Sequence, residues 1–517
     1  MRIISAAGSL AIALAVSVAA FAQAPEVSGS DHGHSDKVKN MPVGGYTNEY
    51  RKEKPLRLPH GILATQNQPD GAQQKSVLPN AAVTSGASFP GVGEGDYGYS
   101  PDSAPPDTNG AVGANQYVQW VNESFAVFDK AGHLISGPVE GNQLFKDLGP
   151  AHPCAVNNDG DPIAQYDKAA GRWVMTQFSV TNGSSQGFYQ CVAVSDTSDA
   201  TGAYSVYAFK EPNFNDYPKL GVWPDAYYVT FNIFSGNSFV GSRACALNRS
   251  AMLAGQPATQ VCFQESSSVA SLLPSDLDGM IAPPAGAPNF LLTYSSSALK
   301  LYKFHVDFTK TSNSTFTGPT SLSVSSFTPA CNGGTCIPQP GTKQQLDSLA
   351  DRLMYRLAYR HFADGHEALV VNHSVATSTA ASGIRWYEIR NPSTTPVVYQ
   401  QGTFSPDSTS RWMGSITMDK VGNIIVGYSA SSSSVHPSIR YTVHTSADAL
   451  GAMESENTII AGSGSQQKRL NRWGDYSAMT VDPGDDCTVF YTNEYLKTDG
   501  TFNWSTWVSS FKLPSCH

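Results

Sequence analysis

One phrase occurs twice in this chain. Arg472-Trp473-Gly474-Asp475-Tyr476-Ser477 leads into an alternating apolar run, an Asp-containing turn and a second apolar run, Cys487-Thr-Val-Phe-Tyr. About sixty residues earlier, Arg411-Trp412-Met413-Gly414-Ser415 leads into the same succession, ending in Ile424-Ile-Val-Gly-Tyr. Alternation on either side of a turn is the pattern of two paired strands. A unit that recurs at such a period cannot bury its apolar surface alone and has to pack on its neighbours. The phrase therefore confines the chain to a repeat architecture and shows where equivalent positions should be compared.

Five earlier stretches carry the same content. They pass through Tyr117 and Phe125, Trp173 and Tyr189, Tyr227 and Ala244, Phe290 and Leu301, and Met354, Ala368 and Ile384. Each offers three or four short strands, the content of one propeller blade. Charged residues are only 15%, with 45 Gly and 32 Pro, which suits strands joined by turns rather than helices. Residues 346–360 are the best helical candidate and fit a loop entering a strand equally well. The expected fold is all-β: a single β-propeller over residues 96–517, with seven blades and with six or eight as the neighbouring counts. A β-sandwich array is the rival, but it gives no reason for an Asp-turn at one place in each unit. Closure should join the chain ends in one blade.

Ahead of the repeats lie two other segments. Arg2, the apolar run 3–21 and Ala20-Phe21-Ala22 have the make-up of a secretory signal over 1–22, cleaved near Gln23. Residues 23–95 are polar and read as a disordered, extended or loosely structured leader. The expectation is a secreted protein, extracellular or periplasmic, without membrane insertion, and a monomer. A net charge of −9 without a basic run argues against nucleic acid as a partner. Eight cysteines in an exported chain point to disulfides. Locality favours Cys154 with Cys191, Cys245 with Cys262, Cys331 with Cys336, and Cys487 with Cys516. No C-x-x-C pair or His cluster has metal-ligand spacing, so neither a metal site nor a cofactor is expected. Asn157-Asn-Asp-Gly-Asp161 is oxygen-rich enough for a structural calcium, but a plain tight turn is favoured.

The residues just before each first strand converge on one end of a propeller's channel. The early units place acids there: Asp107, Asp159 and Asp161, Asp216, and Asp276 or Asp278. The later units place arginines: Arg352, Arg411 and Arg472, the last followed by Asp475 and Tyr476. Three guanidiniums round one mouth would receive a carboxylate or sulfate. Acids opposite them could act as general acid and base. The candidate catalytic residues are Asp107, Asp161, Asp475 and Tyr476; the candidate substrate-binding residues are Arg352, Arg411, Arg472 and Asp216. Asp–Arg pairs that only tie blades together would use the same residues.

Pro-Pro-Asp107-Thr-Asn-Gly-Ala-Val-Gly, Arg352-Leu-Met-Tyr-Arg-Leu-Ala-Tyr-Arg and Arg472-Trp-Gly-Asp-Tyr-Ser resemble a family of secreted bacterial propellers of largely unassigned activity, over about residues 95–517. The Gly474-Asp475-Tyr476 step is also similar to a blade start of sialidase-like propellers. That similarity implies an arginine cluster for a substrate carboxylate (Arg352, Arg411, Arg472), Tyr476 as nucleophile, and Asp107 or Asp161 as the acid. The Asp-box S-x-D-x-G-x-x-W of that superfamily is only approximated, by Asp167-Lys-Ala-Ala-Gly171-Arg-Trp173.

The function expected from the sequence is a carbohydrate-active one. The leading form is a glycoside hydrolase on an extracellular glycan, acidic or neutral, acting at the channel mouth. A polysaccharide lyase is its variant, with arginine neutralising a uronate. The alternative is a non-catalytic propeller that binds glycans or proteins at the cell surface.

Overall fold

A computed structural model describes residues 23–44, 52–54, 70–80, 82–295 and 297–517. The secretory signal expected over 1–22 lies outside the described residues. Six four-stranded antiparallel meanders follow one another over 109–140, 163–211, 214–264, 273–323, 354–404 and 410–460, and a seventh four-stranded sheet takes three strands from 478–512 and one from Thr84–Pro90. The innermost strand of each touches that of the next, and the seventh touches the first, so the ring is closed. This is a β-propeller, as expected, and its blades number seven rather than six or eight. Residues 346–353, at the start of the helical candidate, run as loop and a two-residue strand into the strand Met354–His361.

The blades stack face to face, which removes the alternation a half-exposed sheet would show. Phe125 to Phe128 and Trp173 to Ser179 are buried without a break. Trp412 and Trp473, the shared residue of the repeated phrase, pack with ring centroids 5.7 Å apart. Ser415 and Ser477 add to this contact: Ser477 Oγ donates to the Met413 carbonyl, and Ser415 Oγ accepts from the Met479 amide.

The chain ends meet in the seventh blade. Its outer strand is Thr84–Pro90, paired antiparallel with the C-terminal strand Trp504–Lys512. The disulfide Cys487–Cys516 locks this blade, and Cys154–Cys191, Cys245–Cys262 and Cys331–Cys336 close as expected.

Part of the leader is built into the fold. Residues Glu26–His34 form an extended strand between the outer strands of the second and third blades, paired antiparallel with both. Their side chains are mostly exposed, so backbone hydrogen bonds hold them, and they cover two sheet edges that would otherwise be open. The fourth and fifth blades join differently, through a parallel pairing of their inner strands. No helix among the described residues is long and apolar enough to cross a membrane.

Candidate active site

The entry ends of the inner strands bring together Asp107, Asp161, Asp475, Tyr476, Arg352 and Arg472, six of the eight residues singled out from the sequence. All six are buried. Asp107 precedes the first blade's inner strand and Asp161 the second's. Both sit in left-handed backbone, with φ of +45° and +49°. Such a conformation is disfavoured for a residue with a side chain and is retained where surrounding contacts over-determine it.

Asn122 supplies those contacts. Its Nδ2 donates to Asp107 Oδ2 at 3.1 Å, and its Oδ1 accepts from the Asp161 amide at 3.1 Å. Gly160 makes room, because a Cβ there would lie 2.2 Å from Asn122 Oδ1. The oxygen-rich turn is thus a clamp between two blades. Asp159, its other acid, accepts from the amides of Val180 and Thr181 at 2.7 and 2.8 Å.

From the seventh blade, the Asp475 amide donates to Asp107 Oδ1 at 2.7 Å, and the Asp475 carboxylate pairs with Arg472 at 2.7 Å. Burial first, then the charges of Asp475 and Asp161, push the Asp107 carboxyl well above the usual carboxylate range. Burial also raises Asp161, with Asp475 adding to it, while Lys219, Lys54 and Arg472 pull it back. The two acids therefore stand in unequal surroundings.

Two residues of the third blade complete the cluster. Lys219 is fully buried, with its Nζ 3.5 Å from the ring centroid of Tyr217 and 4.0 Å from that of Tyr476. Burial lowers its pKa to about 8, against the opposing pull of Asp161, Asp107 and Asp475. Tyr217 carries the Arg352 guanidinium 4.4 Å above its ring, and its buried hydroxyl has no partner among the described residues. Asp216, expected here, is one residue away, partly exposed and in register with Asn232. A bulge between Asp216 and Lys219 turns Tyr217 and Lys219 into the channel end in its place.

One other expectation is corrected. Arg411 does not join Arg352 and Arg472. Its guanidinium is buried between Glu456, at 2.9 and 2.8 Å, and Asp407, at 3.0 Å, against the ring of Phe404. Arg352 is itself neutralised by Asp351 through two hydrogen bonds of 2.7 and 3.0 Å. Arg352, Arg411 and Arg472 therefore do not form one receptor. The Tyr476 hydroxyl donates to the Pro162 carbonyl at 3.0 Å, and burial with three nearby carboxylates raises it well above its ordinary value.

Asp276 and Asp278 lie at the far end of the channel, where Arg356 bridges them at 2.7 and 2.6 Å. Burial alone would raise Asp278, yet Arg356, Lys168 and Arg360 bring it down to about 2. These two are structural pairs. The acids of the entry end differ in having fewer cations than carboxylates about them.

Several members of the site carry no motif. Glu494 is buried, accepts from the Gly474 amide at 2.8 Å, and is raised well above its ordinary value, first by burial. Asp102, at the rim, is pushed up to about 7 by burial and then by Glu123. Lys54 belongs to a leader segment whose residues Lys52–Glu53 pair with Ser103–Ala104. Its Nζ pairs with Glu123 and donates to the Asp159 carbonyl at 2.6 Å, and its own carbonyl accepts from Arg472 at 3.3 Å. Only the break in hydrophobic alternation at Tyr217-Pro218-Lys219 could have signalled the third blade's contribution.

No known protein family and no curated protein matches the sequence. Solved structures give distant likenesses. An alpha-L-arabinanase from Penicillium chrysogenum, complexed with arabinobiose, is 10% identical over 83% of this chain and 100% of its own, with a TM-score of 0.36. An alpha-L-arabinofuranosidase from Fusarium graminearum is 10% identical over 87% and 99%, with a TM-score of 0.33. The WD40 domain of Toxoplasma gondii coronin is 10% identical over 85% and 89%, with a TM-score of 0.35. Likenesses of this size carry nothing about activity.

Proposed function

We propose that the chain is a secreted glycoside hydrolase acting on a neutral extracellular glycan at the entry end of the channel. The observation that carries this is the unequal pair Asp107 and Asp161, clamped to each other through Asn122. Glycosidic cleavage needs one carboxyl group that keeps its proton and one that gives it up, and unequal surroundings assign those roles. Asp107, pushed furthest toward its neutral form, is the general acid for the leaving-group oxygen. Asp161, steadied by Lys219, is the carboxylate that activates water or attacks the sugar. Arg472 keeps Asp475 in place, and the Asp475 amide orients Asp107.

A neutral glycan is favoured over an acidic one because each arginine already has its own carboxylate. A lyase would need a free guanidinium for the uronate, and the third arginine is elsewhere. The exported location rests on the four disulfides and on the composition of residues 1–22.

The test is release of reducing ends across a panel of neutral and uronate-containing polysaccharides, with absorbance of unsaturated products followed in parallel. Wild type should release reducing ends from a neutral glycan, and Asp107→Asn and Asp161→Asn should not. Release from no glycan at all, or unsaturated products from an acidic one, overturns the proposal. A second reading, a non-catalytic binding propeller, is favoured by the burial of the acids beneath Lys54. It predicts retention on a glycan without any release.

A further inference from the structure

The face opposite the acids holds a cavity of about 310 Å³ between the fifth and sixth blades, at the exit end of their inner strands. Its floor is a connected polar chain. Glu388 accepts from Arg390 Nε at 2.5 Å and from Gln400 Nε2 at 2.7 Å. Gln400 Nε2 also lies 3.1 Å from His444 Nε2, and His444 Nδ1 lies 2.7 Å from the Ala452 carbonyl. These contacts assign the tautomer: Nδ1 carries the proton and Nε2 accepts. Glu388, Gln400 and His444 are buried, so the chain is fixed before any ligand arrives.

The lip is different. Tyr399 is 40% exposed, Val421 41% and Leu450 60%. One face of Tyr399 is occupied by the Arg390 guanidinium, 3.4 Å from the ring centroid. Rigid polar groups below and exposed apolar groups above make a surface for a ligand with both a hydroxylated edge and an apolar C–H face. The lining mixes both signs: the carboxylates Glu388, Asp364 and Asp448 share it with the cations Arg390 and Lys420. Glu388 is paired with Arg390, Asp448 accepts from the Thr445 amide and Lys420 donates to the Asp485 carbonyl. Neither sign dominates enough to select an anion or a cation.

We propose that this cavity is a second saccharide-binding site, taking a neutral oligosaccharide chain on the face opposite the acids. It shares only its class of ligand with the function proposed above and does not depend on catalysis.

The test is affinity electrophoresis of the full chain in gels containing neutral or acidic polysaccharides. The variants are Tyr399→Ala and Leu450→Ser, which change exposed side chains and leave the net charge, and so the mobility in plain gels, unaltered. Wild type should be retarded by at least one neutral polysaccharide. Each variant should weaken that retardation, by about tenfold for Tyr399→Ala, where an aromatic contact is lost. Melting temperatures should stay within a few degrees of wild type, and Asp107→Asn should retain full retardation. Hydrolysis is read separately, so an inactive protein that is retarded through Tyr399 upholds this site and overturns only the catalytic proposal. The site is overturned by retardation that survives both variants, or is lost in Asp107→Asn instead. It is equally overturned by retardation on acidic polysaccharides alone, or on none.

Discussion

The main-chain amide of Asp475 donates to Oδ1 of Asp107 at 2.7 Å, so the last blade holds the acid of the first. An amide oxygen can accept that bond as well as a carboxylate can. Asp107→Asn should therefore fold and keep the ring closed while losing the proton donor, and glycan hydrolysis should fall by about 10²–10⁴-fold. The same substitution tests the electrostatics. Burial raises the folded-state pKa of Asp107 above its unfolded value. Its contribution to stability is then full below the ordinary carboxylate range and is lost as pH rises toward the folded pKa. Asn does not titrate, so the melting temperature of the variant relative to wild type should climb between pH 4 and neutrality. Scanning calorimetry at several pH values measures this; a flat or falling difference would show that Asp107 is not a strained, protonated acid.

Lys219 has the opposite sign. Its folded pKa is lowered to about 8 by burial, against an unfolded value of about 10.4. Between those values the unfolded chain binds more protons, so wild type should gain stability as pH rises from about 8 to about 10. Lys219→Met fills similar space without a charge and should remove that gain. Thermal melts of both proteins across this range, compared as differences, decide it.

Most of the fold could be read from the chain because each blade repeats a local pattern, and because the repeated Arg-Trp phrase marks equivalent positions. The four disulfides were legible because each pairs cysteines adjacent along the chain: Cys245–Cys262 joins neighbouring strands, Cys331–Cys336 closes a short loop, and Cys154–Cys191 and Cys487–Cys516 each stay within one blade and its flanks. The leader strand was not legible. Glu26–His34 is held by backbone pairing and shows polar side chains to solvent, so its sequence carries no hydrophobic signal. Within the site, Asp107, Asp161, Arg352, Arg472 and Asp475 converge because position in the repeat predicts position in the ring. Arg411 shows the limit of that rule. Sequence alignment places it with Arg472, but Glu456 on the outer side of its blade offers a closer partner, and a bulge after Trp412 alters the backbone there. Lys219 and Lys54 were missed because a bulge and a leader crossing bring them in, and neither follows from periodicity.

The two arginines of the repeated phrase should accordingly separate stability from activity. Arg411 is fully buried, and its removal leaves Glu456 with only Arg440 and Tyr428. Arg411→Ala should cost about 3–5 kcal/mol of stability, as breaking a buried pair does. Its activity per folded molecule should be unchanged. Arg472→Ala should lower kcat, because Asp475 loses its partner and the amide that orients Asp107 is freed. Urea unfolding and kinetics on the two variants give the comparison, and equal kcat losses would return Arg411 to the site.

Lys54 should govern access to the acids. The acids beneath it are almost without solvent exposure, and the segment is seated by three bonds: the Lys54 amide to the Ala104 carbonyl at 2.7 Å, Lys54 Nζ to the Asp159 carbonyl at 2.6 Å, and Arg472 to the Lys54 carbonyl at 3.3 Å. The ion pair with Glu123 adds to these. If a glycan reaches Asp107 only when this segment lifts, its apparent affinity is scaled down by the fraction of molecules in which the segment is unseated. Lys54→Ala removes the side-chain bonds and leaves the two backbone ones, which weakens the seat without abolishing it. Loss of about 1 kcal/mol of closing free energy should raise kcat/KM by about fivefold, mostly through KM, with little change in kcat. Glu123→Gln should act in the same direction through the same ion pair. If kcat falls instead in both variants, Lys54 is part of the machinery that steadies Asp161 rather than a cover over it.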